Sequence, residues 1–199
     1  MERSLDAVSP TSKLLLLNAR SLNPGGDTCW KLGLIRDYVA NERTHIVTIA
    51  VTETWFKGYH SDAQVQIPGY DVYRSDRVNR VGGGCALYVQ CSLAVSDTTC
   101  FASANNNMCA VYVEQINTIY AVVYRSESSV FDFQNLMDSL QSFIDKHSDG
   151  RLPEVVISGD FNLPLFQWAE GSSVPVDQPN YNVVTDFMDS NFVSQVIEG

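Results

Sequence analysis

An α/β fold with a mixed sheet is the class this sequence predicts, and three observations predict it. Short apolar runs of strand length alternate with segments of helical period. Four strand signals, Asp71 to Arg74, Cys85 to Gln90, Cys109 to Gln115 and Ile119 to Tyr124, follow one another with no helix between them. Consecutive strands joined by short turns pair antiparallel, so a purely parallel doubly wound sheet is excluded. Several of the runs also end at a polar residue, which is how a rigid sheet presents chemistry along one edge.

The elements read as follows. Met1 to Ser12 form a polar tail, and a domain of residues 13–199 begins with the strand Leu14 to Leu17, which runs into Asn18-Ala19-Arg20-Ser21-Leu22. Asp27 can cap a helix in which Leu34, Ile35, Tyr38 and Val39 share a face, weakened by Gly33. Ile46 to Thr52 form a buried strand ending at Glu53-Thr54-Trp55. Arg74 to Arg80 precede Gly82-Gly83-Gly84 and the strand from Cys85, and Ile119 to Val123 end at Tyr124-Arg125. Ser129 and Asp132 have capping-box spacing at the start of the clearest helix. Its apolar face is Phe133, Leu136, Met137, Leu140, Phe143 and Ile144, and Gly150 with Pro153 stop it. His147-Ser148-Asp149 reads as polar residues at that helix end.

Val155-Val156-Ile157-Ser158 then lead into Gly159-Asp160-Phe161-Asn162. Side-chain alternation predicts that Asp160 and Asn162 project to the same side. Gly171 to Asn182, with Pro175 and Pro179, reads as a surface loop, followed by a helical signal at Val183 to Ser190 and an apolar piece from Phe192 to Ile197.

A length of 199 residues fits one domain, and 45% hydrophobic with 11% aromatic residues suffices for a real core. The polar start lacks the pattern of a signal peptide, and no apolar run is long enough to cross a bilayer. The expectation is a soluble intracellular protein, nuclear or cytoplasmic and not secreted, with no membrane contact and no feature pointing to a stable protein partner. Cys29, Cys85, Cys91, Cys100 and Cys109 are odd in number and form no Cys-x-x-Cys pair, which disfavours zinc ribbons and disulfide frameworks. The net charge of -10, from 13 basic and 23 acidic residues, excludes a globally basic nucleic-acid binder, so any grip on a phosphate backbone must be local. Arg74, Arg77 and Arg80, with Arg125, are the candidate patch; ordinary solvated loop arginines are the alternative.

The five strand-end segments, in this order, resemble the endonuclease/exonuclease/phosphatase superfamily. More narrowly they look like the endonuclease domain of jockey-like and CR1-like non-long-terminal-repeat retrotransposons, whose Arg-Ser-Leu follows the first asparagine as Arg20-Ser21-Leu22 does here. The resemblance implies a four-layer α/β sandwich, Mg²⁺ or Mn²⁺ as cofactor, and DNA as partner. It assigns Glu53 to the metal, Asp160 to the attacking water, Asn162 to the phosphate, Asn18 to ordering the metal site and that aspartate, and Tyr124 to the neighbourhood of the scissile phosphate. Structural alternatives for the same residues are an Asx turn at Asn18, an exposed strand-end acid at Glu53 and a packing tyrosine at Tyr124.

The sequence departs from this pattern in two places. Ser126-Glu127-Ser128 stands where the retrotransposon branch has prolines, and the Ser-Asp-His segment of a late strand has no counterpart, since His45, His60 and His147 all precede Gly159. The domain is therefore expected to be incomplete at its C-terminal end, leaving one sheet with an open edge, and to hydrolyse phosphodiesters weakly or not at all. A non-catalytic remnant or binding module and a small-substrate phosphatase are the competing readings.

Overall fold

The computed structural model describes residues 13–27, 29–41, 45–126, 129–164, 179–194 and 196. Its strands are β1 (Lys13–Asn18), β2 (Ile46–Thr52), β3 (Tyr70–Ser75), β4 (Cys85–Gln90), β5 (Asp97–Ala102), β6 (Asn106–Val113), β7 (Thr118–Arg125) and β8 (Glu154–Asp160). The helices are α1 (Trp30–Asn41), the single turn α2 (Asp62–Val65), α3 (Val130–Lys146) and α4 (Pro179–Asn191). Two four-stranded sheets form, in the orders β1-β2-β4-β3 and β5-β6-β7-β8. Each is mixed: β1/β2 and β7/β8 pair parallel and the other neighbours antiparallel. Among the described residues β1 and β8 each pair on one side, so each is an edge.

Alternation along the central strands builds the layers. In β7, Ile119, Ala121 and Val123 pack toward α3 and α4, whereas Tyr120, Val122 and Tyr124 face the other sheet. In β4, Cys85, Leu87 and Val89 face inward, and Ala86 and Tyr88 pack in the cluster that holds Leu32 of α1. A strand covered on both faces reads as a continuous apolar run, which is why β2, β4 and β7 are legible from composition. The result is a four-layer sandwich, helix, sheet, sheet, helices. The six predicted apolar residues of α3 are the ones it buries, each such burial contributing about 1.5–3 kcal/mol. The Ser129 hydroxyl accepts from Asp132 N at 3.2 Å as the cap predicts. The Asp132 carboxylate does not close the box; it accepts from Asn106 Nδ2 and Ser103 Oγ at 2.9 and 3.0 Å and ties the helix to β6.

Several expectations fail for identifiable reasons. Helix α1 starts at Trp30, three residues after Asp27, and buries Leu32 with Ile35 and Val39 packed beside it. Leu34 and Tyr38 are 57% and 51% exposed, because sheet β1-β2-β4-β3 needs only a narrow stripe from this helix. Strand β5 has no apolar run: Asp-Thr-Thr-Cys-Phe-Ala alternates half-buried and exposed positions on a sheet edge. Strand β6 starts three residues before Cys109, with Asn106 and Asn107 fully buried and their amide nitrogens bonded to Asp132 and Ser75. Pro179 opens α4 instead of belonging to a loop, since proline fits the first helical turn. Residues 1–12 and 171–178 of the predicted tail and loop lie outside the described residues. In the apolar piece from Phe192 to Ile197, Phe192 and Val196 are both 90% exposed.

Candidate active site

The ladder of the first sheet continues past its strand ends. Ala19 N donates to Thr52 O (3.0 Å), Ser21 N to Glu53 O (2.8 Å), Leu22 N to Thr54 O (2.8 Å) and Trp55 N to Gly83 O (2.9 Å). These bonds hold the Asn18 and Glu53 segments side by side in an irregular backbone. Of eight non-glycine residues with positive φ among the described residues, five lie here or directly opposite: Arg20, Ser21, Glu53, Trp55 and Asn162. Such conformations cost on the order of 1–3 kcal/mol each and persist where the surroundings over-determine them. Their concentration marks this end of the sandwich as the place where backbone regularity is given up for side-chain position.

In the second sheet Tyr124 lies beside Asp160 in register. Gly159 makes that register possible: a Cβ there, at φ +147°, would stand 1.9 Å from Val123 O. Two hydrogen bonds then cross between the sheets. Asn18 Nδ2 donates to Asp160 Oδ2 at 2.9 Å, joining residues 142 apart in sequence, and Tyr124 OH donates to Glu53 Oε1 at 2.7 Å. The other Glu53 oxygen accepts from Trp55 Nε1 (2.8 Å), and Asp160 Oδ1 accepts from Asn162 N (3.1 Å). Burial first, then the bond to Glu53 and its charge, push the Tyr124 phenol up to about 12, so it is a proton donor at neutral pH.

Four of the five predicted residues thus meet through their side chains. Asn162 arrives differently from the expectation. Strand β8 ends at Asp160, so alternation does not aim Asn162; it sits at φ +49° beyond the strand, and its amide donates to Arg125 O. The basic residues divide. Arg80 is exposed at the rim and donates to Asn105 Oδ1 (2.6 Å). Arg77 lies over the Tyr124 ring at 5.3 Å and donates to Asn105 O and Ser126 Oγ; burial, the largest influence, lowers its pKa. Arg125 is buried over Phe133 and donates to Phe161 O and Asn162 O, both at 3.1 Å. Arg74 binds His60 O and pairs with Asp62 and Asp76, so it braces α2 and stands apart from the strand-end cluster.

Sequence reasoning did not single out Trp55 or Lys31. Trp55 was visible as the residue two beyond Glu53, but nothing in the sequence says its indole turns back. Lys31 reaches Ala19 O and Arg20 O at 2.8 and 2.9 Å and pins the strained segment after β1. The site itself is solvent-facing, with Asn18 and Asn162 exposed. Two concavities of the described surface lie around α2 and β3, lined by residues that include Arg36, Gln66 and Tyr73.

No group of three or more His, Cys, Asp or Glu side chains is placed for metal binding among the described residues. The donor chemistry fits a hard cation nonetheless. Mg²⁺ takes one or two carboxylates and completes its shell with water and phosphate oxygens. Each Glu53 oxygen accepts one hydrogen bond and keeps a lone pair.

The two-sheet fold is similar to that of solved phosphatases and nucleases, at low sequence identity. The chain is similar to a 3′ phosphatase, NExo, from Neisseria, solved with a product DNA hairpin (TM-score 0.59, 14% identity, 88% of this chain and 70% of that one). It is similar to the AP endonuclease LMAP of Leishmania major (TM-score 0.56, 11% identity, 89% and 66%). It is also similar to an endonuclease/exonuclease/phosphatase family protein of Bacteroides thetaiotaomicron (TM-score 0.55, 13% identity, 87% and 66%). The chain spans about two thirds of the length of these structures. No protein-family model and no curated protein matches it by sequence. No helix among the described residues is long and apolar enough to cross a membrane.

Proposed function

We propose that the strand-end cluster hydrolyses phosphodiesters with the help of a divalent cation, Mg²⁺ or Mn²⁺, and that its substrate is DNA. The observation that carries this reading is the pair of cross-sheet hydrogen bonds, Asn18 to Asp160 and Tyr124 to Glu53, because together they bring an amide, a phenol and two carboxylates from four strand ends to one surface. Glu53 would hold the cation, which would neutralise charge on the phosphoryl oxygens. Asp160, fixed by Asn18 and by Asn162 N, would orient the attacking water and accept its proton. Tyr124, protonated at neutral pH, would keep the Glu53 carboxylate in place. The second N–H of the Asn162 amide, whose first is held by Arg125 O, and the exposed Arg80 would donate to the phosphates of the substrate backbone.

The narrower reading is the DNA-nicking endonuclease of a non-long-terminal-repeat retrotransposon, acting in nucleus or cytoplasm. Asn18-Ala19-Arg20-Ser21-Leu22 supports it. The Neisseria and Leishmania proteins, a 3′ phosphatase solved with DNA and an AP endonuclease, fit the broader one.

A second reading, a fold kept for binding without catalysis, is favoured by the histidines. His60 is buried against Phe56 and Tyr59, His147 is stacked on Tyr112, and His45 is exposed near Gln90, so none reaches Asp160. A positioned acid–base group contributes about 10²–10⁴ in rate, so these residues alone are expected to nick slowly. Supercoiled plasmid with Mg²⁺ tests both readings, with folding of wild type and Asp160→Ala checked first. Slow nicking that vanishes in the variant and on chelation supports catalysis; none by the folded chain overturns it in favour of the binding module. Hydrolysis of a small phosphomonoester with no DNA cleavage would move the substrate assignment.

A further inference from the structure

Cys100 on β5 and Cys109 on β6 stand directly opposite each other in antiparallel register, with their sulfurs 3.3 Å apart. The register runs without a shift from Asp97 to Ala102, and just beyond it Ser103 N donates to Asn106 O at 2.8 Å. Hydrogen-bonded and non-hydrogen-bonded pairs alternate, so three residues back Cys100 and Cys109 form a non-hydrogen-bonded pair. That is the closer kind, with Cα atoms about 4.5 Å apart, inside the range of about 4.4–6.8 Å that a disulfide spans. The two thiols differ in access. Cys100 is on the sheet edge and exposed; Cys109 is fully buried between the sheets. The third thiol nearby, Cys85, is also fully buried and turned toward Val122 O at 3.7 Å.

We propose that Cys100 and Cys109 are an oxidation site: a hydroperoxide converts them to an intrachain disulfide across β5 and β6. The Cys100 thiolate attacks one peroxide oxygen, the O–O bond breaks, and the other oxygen leaves as hydroxide or alkoxide. This leaves a sulfenic acid on Cys100. Cys109 sulfur then attacks Cys100 Sγ; the S–O bond breaks, and the departing hydroxide takes the Cys109 proton as water. Two electrons pass from the two thiols to the peroxide, and a dithiol reductant reverses the change. Ionisation of the pair falls on Cys100, since the Cys109 thiol can then donate to it, while that same bond first, and burial second, push Cys109 up. Closure needs the sulfurs to move from 3.3 Å to about 2.05 Å. It draws Cys100 away from Arg74 O, which it contacts at 3.6 Å, across the joint between β3 and β5. This inference is independent of the hydrolytic reading.

The test uses the full chain carrying Cys29→Ser and Cys91→Ser, which removes the other exposed thiols. Hydrogen peroxide is expected to lower the thiol count after denaturation from three to one, with Cys100 and Cys109 peptides linked and the loss reversed by dithiothreitol. Closure in the folded chain should be at least about tenfold faster than in urea, because the fold holds the thiols together. Adding Cys109→Ser should abolish the linkage and leave Cys100 at the sulfenic or sulfinic stage. Three surviving thiols in the folded, peroxide-treated chain, or Cys100 recovered as sulfinic acid beside a free Cys109, would overturn the proposal.

Discussion

At one end of the sheet β5-β6-β7-β8, Asp160 is held by Asn18 Nδ2 and Asn162 N; at the other, Asp97 is held by Lys146 Nζ at 2.6 Å and His147 Nε2 at 2.8 Å. By residue type the second cluster looks more catalytic, with an acid, a histidine and a lysine. Its imidazole is nevertheless stacked flat on Tyr112, 4.1 Å between centroids, and edge-on to Phe143. All its members come from one sheet and the helix on its face. The Asp160 cluster draws on both sheets, sits among left-handed residues and leaves donors facing solvent. Convergence of separate strands at a strained edge therefore sets the candidate site apart from the histidine cluster in geometry. This is why His147-Ser148-Asp149, despite familiar letters, is a helix end.

The sharpest way to break the comparison is at a glycine from each end. Gly159→Ala places Cβ at 1.9 Å from Val123 O, where only backbone can yield, so β7 and β8 must part. A loss above about 4 kcal/mol is expected, in the range reserved for backbone disruption. Gly150, near the opposite end, is also left-handed at φ +81°, but nothing lies within 4 Å of its added Cβ. Alanine there should cost only about 1–2 kcal/mol, the penalty of a left-handed L-residue alone. Urea midpoints measure both; equal costs would mean that close packing under Asp160 is not what sets this end apart.

Much of this contrast was legible in the sequence. Strands β2 and β7, buried on both faces, announce themselves by continuous apolar runs and lead to Glu53 and Tyr124, and the apolar runs of the half-buried edge strands β1 and β8 lead to Asn18 and Asp160; α3 announces itself by a strict apolar stripe. What the sequence hid were features set by a partner distant in the chain. Strand β5 is recognisable only because β6 lies beside it, and buried Asn106 and Asn107 only because Asp132, Ser75 and the Gly84 amide bond them. Arginine letters likewise do not tell a rim from a strut: Arg80 faces solvent, while Arg77 and Arg125 are packed on aromatic rings.

Tyr124→Phe sharpens the comparison at the site itself. It removes the donor to Glu53 Oε1 and should cost about 1.5 kcal/mol near neutral pH, the low end for a bond to a charged acceptor. The pH dependence identifies the phenol. Its pKa is raised from an ordinary 10 to about 12 in the folded chain. Below pH 10 folded and unfolded states are both protonated and its contribution is complete. Between pH 10 and about 12 the unfolded chain loses the proton first, so stability falls as pH rises. Burial raises Tyr70, Tyr73, Tyr88 and Tyr120 as well, so the diagnostic is the difference between wild type and variant. Urea midpoints across this range should show that difference shrinking; a constant gap would mean that the hydroxyl does not carry it.

The smallest effect belongs to the opposite end. Asp97→Asn removes an exposed pair with Lys146 and the bond from His147, and exposed pairs contribute only about 0.2–1 kcal/mol. The Lys146 bond, first among its causes, lowers the Asp97 carboxyl below its usual range. Its stabilisation is therefore present above the ordinary carboxylate pKa near 4 and is lost as pH falls through the lower folded value. Wild type and variant should differ slightly at neutral pH and converge in acid, as measured by thermal midpoints against pH. Any Mg²⁺-dependent plasmid nicking should be unchanged in Asp97→Asn, because among the described residues no hydrogen bond of that cluster leads to Asp160 or Glu53. Nicking lost together with Asp97 would show that the sheet couples its two ends, and the histidine cluster would then have to be counted as part of the site.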